Sequence, residues 1–102
     1  MEFRSLDTVT NNELNQSLKA LYQSDRENLA EIVLHLAEVG KRESYRELGY
    51  SSLFTYAVEY LNSSKAAAYE RTEGARALRN SPELYVKIKS GKVFLCALVM
   101  PQ

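Results

Sequence analysis

Tryptophan is absent from this 102-residue chain, cysteine and histidine occur once each, proline twice and glycine four times. Each scarcity excludes something. The lone cysteine, Cys96, cannot close an internal disulfide. Inside an apolar run it reads as a small buried hydrophobe, in keeping with a reducing compartment. The single histidine, His35, falls off the apolar stripe of its helix and is expected at the surface. Only two aspartates are present, Asp7 and Asp25. A metal site needs three or four convergent His, Cys or carboxylate ligands, and a nucleophile needs a base with its own orienting partner. Neither pattern is found, and no glycine-rich phosphate loop is found. Catalysis by this chain alone and a bound cofactor are therefore not expected. No run approaches the roughly 20 apolar residues that span a bilayer. The opening "MEFRSLDTVTNNE" lacks a basic stretch followed by an apolar one, so no secretory signal is read. A cytoplasmic protein with no membrane partner is the expectation.

What is present is ordinary for a folded globular chain: 45% hydrophobic and 25% charged residues. A chain of this length makes one domain and can bury a core without a staple. Formal net charge is zero. Residues 1–51 hold nine acids and six bases, residues 52–102 four acids and seven bases. The dipole permits an anionic partner on the second half without demanding one.

So few breakers separated by short polar joints predict an all-α fold, a small bundle of five to six helices. Residues 1–9 are expected to form a flexible arm and residues 10–102 a single helical domain. "TNNE" from Thr10 to Glu13 is a capping box and starts the first helix. "SDRE" from Ser24 to Glu27 repeats the signal and predicts a second, with Leu29, Ile32, Val33, Leu36 and Val39 on one face. Gly40 on that face can mark a close helix crossing or simply weaken the last turns. Gly49 ends it in a joint, and Ser51 or Ser52 caps a third helix, "LFTYAVEYL", apolar round most of its circumference and expected at the centre. Ser63 or Ser64 caps the fourth, running to about Asn80. Ser81 caps a short fifth with Pro82 at its first position, and Gly91 ends it.

The fourth helix carries the most informative pattern. At about 100° per residue, Ala67, Arg71, Gly74, Ala75 and Leu78 form a thin face suited to close packing. Lys65, Tyr69, Thr72, Arg76 and Arg79 cluster on the other side, with Glu70 and Glu73 to the flank. A surface for phosphates needs that separation of charge. Tyr69 can bond a phosphate oxygen or lie on a sugar or base, and can equally plug a gap between helices. The third helix, a short joint and the fourth helix have helix-turn-helix dimensions. Asn62 stands where the left-handed turn falls and tolerates it. Ser63 and Arg71 occupy positions that such units usually fill with apolar residues. Ser64, Lys65, Tyr69, Thr72, Arg76 and Arg79 are the candidate contacts to duplex DNA. A protein-interaction module with no nucleic-acid role is the competing reading, and zero net charge favours it.

The run over about residues 30–100 also resembles the helical domain that precedes HNH endonuclease domains in some bacterial proteins. The resemblance rests on "HLAEV" at 35–39, "GYSSLFTYAVEYL" at 49–61, "S-x-x-A-A-Y-x-R" at 64–71, "AR" at 75–76 and "SGKVFLCAL" at 90–98. It implies a helical accessory domain of a bacterial nuclease. The His/Asn/His and metal-binding module of that family has no counterpart in this chain, so no nuclease activity is implied here.

After Gly91 the sequence "KVFLCALVM" is apolar on every side. Phe94, Leu98 and Met100 are expected to leave a patch that a second copy of the chain or a downstream domain covers.

Overall fold

The computed structural model describes residues 5–92, which are 77% helical and contain no strand. A turn at residues 6–9, closed by the Val9 amide on the Leu6 carbonyl, leads into α1 (Asn11–Arg42). A 3-10 turn (Ser44–Leu48) comes next, then α2 (Leu53–Thr55), which passes directly into a π-helical stretch (Tyr56–Tyr60). Helices α3 (Lys65–Asn80) and α4 (Leu84–Ser90) complete the described part. Four helices stand among the described residues where the sequence predicted five to six. Phe94, Leu98 and Met100 lie outside the described residues.

The Thr10 capping box forms in both directions: the Glu13 amide donates to Thr10 Oγ1 at 3.2 Å and the Thr10 amide to Glu13 Oε2 at 3.4 Å. The expected second start at Ser24 does not exist, because α1 runs uninterrupted for 32 residues. No glycine or proline interrupts the chain there to end the preceding turn. Gln23 instead bonds along the helix, donating to Glu27 and accepting from Arg26.

Four exits are made by left-handed residues, the first being Glu43 (φ 56°) at the end of α1. Gly49 (φ 91°) and Gly91 (φ 80°) both end their helices with paired backward bonds, Gly49 to Arg46 with Tyr50 to Tyr45, and Gly91 to Ile88 with Lys92 to Lys87. Asn62 (φ 58°) closes the π-helical stretch, and the next amide, Ser63, reaches back to the Ala57 carbonyl. Ser52 and Ser64 are the N-caps of α2 and α3, each accepting from the amide three residues on. Ser81 does not cap the last helix. It directly succeeds the end of α3, and a turn through Pro82 delays α4 to Leu84.

The core is built on α1. Ala30, Val33, Leu36 and Ala37 meet Ala75 and Leu78 of α3 and Ile88 of α4. Small residues at Ala68, Gly74 and Ala75 bring the backbones of α3 and α1 close. Segment 53–60 is not the centre of the bundle. Its only buried residue is Ala57. Tyr56 and Tyr60 stack at 5.3 Å, and Tyr50 meets both rings edge-on at 6.2 and 6.3 Å. The aromatic surface there is spent on neighbours within the joint, leaving Phe54, Tyr60 and Leu61 exposed.

Candidate nucleic-acid interface

Helix α3 owes its start to Ser64, whose hydroxyl oxygen accepts from the Ala67 amide at 3.1 Å. Its buried side is Ala68, Gly74, Ala75 and Leu78, with Ala67 and Arg71 half-buried. That fixes the stripe along one edge of the helix rather than directly opposite the packing face.

Four of the six predicted contacts come together. Tyr69, Thr72, Arg76 and Arg79 line one wall of an open groove of about 420 Å³. The other side is made by Gly40 near the end of α1, buried Tyr45, and Ser51 to Phe54 at the joint. Gly40 does not mark a close helix crossing, since an added Cβ would make only ordinary contacts with two side chains. A Cβ there would lie 3.4 Å from Leu53 Cδ2 and 3.5 Å from Arg79 Nη1. Tyr69 is 52% exposed, so it does not plug an interhelical gap. Thr72 is half-buried and donates its hydroxyl to the Tyr69 carbonyl at 3.3 Å. Ser64 and Lys65 are exposed at the N-terminal end of α3, outside this groove.

The charge separation is less complete than the helical projection suggested. Glu73 lies in the groove and pairs with Arg76 at 3.1 Å. The clue was the three-residue spacing, which puts the two side chains side by side on a helix. Two acids near the end of α1 pair along the chain, and one of them, Glu38, also lines the groove that Arg79 shares with Lys41. Glu43 pairs with Arg46 at 2.7 Å and Glu38 with Arg42 at 2.6 Å. The hydrogen bond and charge of Arg42 hold the Glu38 carboxyl below its ordinary value. Among the described residues, Lys65 and Arg79 enter no ion pair.

One basic residue was passed over. Lys41, in the last turn of α1, shares with Arg79 a second open groove of about 430 Å³ floored by Leu34, Ala37, Leu78, Pro82 and Tyr85. Arg79 therefore stands on the ridge between two grooves, with Lys41 on its far side. In sequence the two are 38 positions apart, and only the packing of α3 on α1 unites them.

His35 is exposed, 4.0 Å from Glu31, and its Nδ1 lies 2.7 Å from the Glu31 carbonyl. No group of three or more His, Cys, Asp or Glu residues is placed to hold a metal among the described residues. No described helix is long and apolar enough to cross a membrane.

Comparison with family models, with curated proteins and with solved structures finds no match to this chain. The likeness to the HNH-associated helical domain thus stands on the quoted residues alone.

Proposed function

We propose that this chain is a non-catalytic DNA-binding or nuclease-accessory domain that lays α3 against the phosphate backbone of duplex DNA. The observation that carries the reading is the wall formed by Tyr69, Thr72, Arg76 and Arg79, with Arg79 in no ion pair among the described residues and Lys65 extending the same edge toward the helix start. The Tyr69 hydroxyl and three cations along one helix edge suit phosphate oxygens, which accept from both, while the Thr72 hydroxyl donates within the helix to the Tyr69 carbonyl. The connection from segment 53–60 through left-handed Asn62 into α3 supports a helix-turn-helix-like presentation, although the leading helix is short and partly π-helical. The resemblance to nuclease-linked helical domains points the same way.

A second reading is favoured by one observation, the Glu73–Arg76 pair. A carboxylate inside the groove repels phosphate and suits a protein partner that offers both signs of charge. The neutral overall charge agrees with it.

Duplex binding at two salt concentrations separates the two. Each phosphate neutralised contributes about −0.9 to the slope of log affinity against log salt. With Arg76 held by Glu73, contacts from Lys65 and Arg79 give a slope of about −1.8, and Arg76→Ala/Arg79→Ala should lower its magnitude by about 0.9. No binding at low salt, or binding indifferent to both salt and the double substitution, overturns the DNA reading.

A further inference from the structure

The guanidinium of Arg79 does not stay on α3. It reaches the end of α1, where its Nη1 would lie 3.5 Å from a Cβ added to Gly40. The next residue in the chain is Lys41, in the last turn of α1. Lys41 and Arg79 line the same groove, and neither enters an ion pair among the described residues. The packing of α3 on α1 thus brings two cations to one corner.

That corner matters because the stripe on α3 is thin. Glu73 holds Arg76, which leaves Lys65 and Arg79 as the cations of the stripe outside any ion pair among the described residues. They stand near opposite ends of α3, about 21 Å apart along its axis at about 1.5 Å per residue. A phosphate backbone is held by the number of its charges that the protein neutralises. A second cation beside Arg79 adds to that number where the stripe ends.

The acids near Lys41 do not cancel it. Glu38 lines the groove but is bound to Arg42 at 2.6 Å, one turn along α1. Glu43, just past the helix end, is bound to Arg46 at 2.7 Å. Together these two carboxylates stand against four cations, Lys41, Arg42, Arg46 and Arg79. A lysine in the last turn of a helix also offsets the partial negative charge of the free carbonyls there. That role alone requires neither Arg79 nor the groove.

We propose that the phosphate-facing surface turns at Arg79 and continues onto α1, where Lys41 contacts a further phosphate of the duplex backbone. The proposal rests on the reading that α3 lies against DNA. An ammonium suits such a place, since it meets a phosphate as a compact charge with no fixed angle of approach.

Anisotropy of a labelled duplex, read between about 50 and 200 mM salt, tests it with wild type, Lys41→Ala, Lys41→Arg and Lys87→Ala. Contacts from α3 alone give a slope of about −1.8, and Lys41 takes wild type to about −2.7. Lys41→Ala should return the slope to about −1.8, so the advantage of wild type over it shrinks by about 3.5-fold across that salt range. Lys41 is exposed, so its replacement leaves the core intact. Lys41→Arg keeps the charge and should keep the wild-type slope. Lys87 is exposed on α4 and lines neither groove, so Lys87→Ala removes the same charge and should also keep that slope. An unchanged slope in Lys41→Ala overturns the contact and leaves Lys41 serving the helix end alone. An equal loss in Lys87→Ala overturns it too, since that marks an effect of net charge. Wild type that binds no duplex at low salt is a separate result, which overturns the reading of α3 itself and this corner with it.

Discussion

The Tyr85 hydroxyl on α4 donates to the Glu31 carboxylate on α1, across 54 positions of sequence. Every other side-chain hydrogen bond among the described residues joins groups four positions apart or fewer. The ion pairs are equally local. The helices are therefore assembled by apolar burial, and this one polar link sets the seat of the seven-residue α4 on α1.

The link makes the seat of α4 sensitive to alkali. The hydrogen bond to Glu31, then burial, then the negative charges of Glu31 and Glu27 hold the Tyr85 phenol above its ordinary value. A raised folded-state value means the contribution is complete below the unfolded tyrosine value of about 10 and is lost as pH rises through the folded one. Tyr85→Phe should lower the urea midpoint at pH 7, and the deficit should vanish once wild-type Tyr85 ionises beside Glu31. Unfolding at neutral pH and above the Tyr85 transition checks this, and an equal deficit at both would contradict it. In Glu31→Gln the Tyr85 transition, tracked by ring carbon shifts, should move down toward the ordinary value.

Ile88 tests the apolar half of the same contact. It is 2% exposed and inserts α4 into the cluster around Val33, Leu36 and Leu78. Ile88→Ala removes that filling and leaves a cavity, at a cost of about 2–5 kcal/mol. Chemical denaturation reads the loss directly. A cost below about 1 kcal/mol would mean that α4 is not an integral wall of the core.

Gly49 and Gly91 share a left-handed backbone but not their surroundings. A Cβ on Gly49 meets nothing within 4 Å, whereas one on Gly91 meets Arg26. Gly49→Ala should therefore show the backbone penalty alone, about 1–2 kcal/mol. Gly91→Ala should show that penalty plus the displacement of the Arg26 stem, and Arg26→Ala should abolish the excess. Equal costs for the two glycines in wild type would remove Arg26 as a neighbour of the α4 exit.

The exits and caps were legible because each depends on one residue and its immediate neighbours. Thr10, Ser52, Ser64, Gly49, Asn62 and Gly91 all act as a few residues of local sequence require. Ser24 shows the limit of that logic. The same motif that starts a helix after a break is simply carried inside one when nothing upstream stops the previous turn. Segment 53–61 misled for a different reason. Its apolar content is real, but tyrosines can satisfy one another at the surface, so hydrophobicity round a whole helix did not mean burial. The groove was half legible. Periodicity set Tyr69, Thr72, Arg76 and Arg79 on one edge, while Lys41 and the wall from Tyr45 to Phe54 depend on tertiary packing that no local pattern reveals. The acid Glu73 was visible in the helical projection and was placed too far from Arg76.

That acid gives the sharpest test of the two functional readings. If α3 faces phosphates, Glu73 is a liability, since it occupies Arg76 and adds a negative charge to the groove. Glu73→Gln keeps the size and polarity, frees the guanidinium and removes the repulsion. Duplex affinity should then rise, by about fivefold for a gain near 1 kcal/mol, and the salt slope should steepen by about 0.9 if Arg76 gains a phosphate. The exposed pair itself contributes little to stability, so the unfolding midpoint should move only slightly. If α3 faces a protein instead, the same substitution removes a recognised carboxylate and leaves DNA affinity unchanged. Fluorescence anisotropy of a labelled duplex, read for wild type and Glu73→Gln at two salt concentrations, distinguishes these outcomes. A tighter, more salt-dependent complex supports phosphate contact through Arg76, and an unchanged one counts against it.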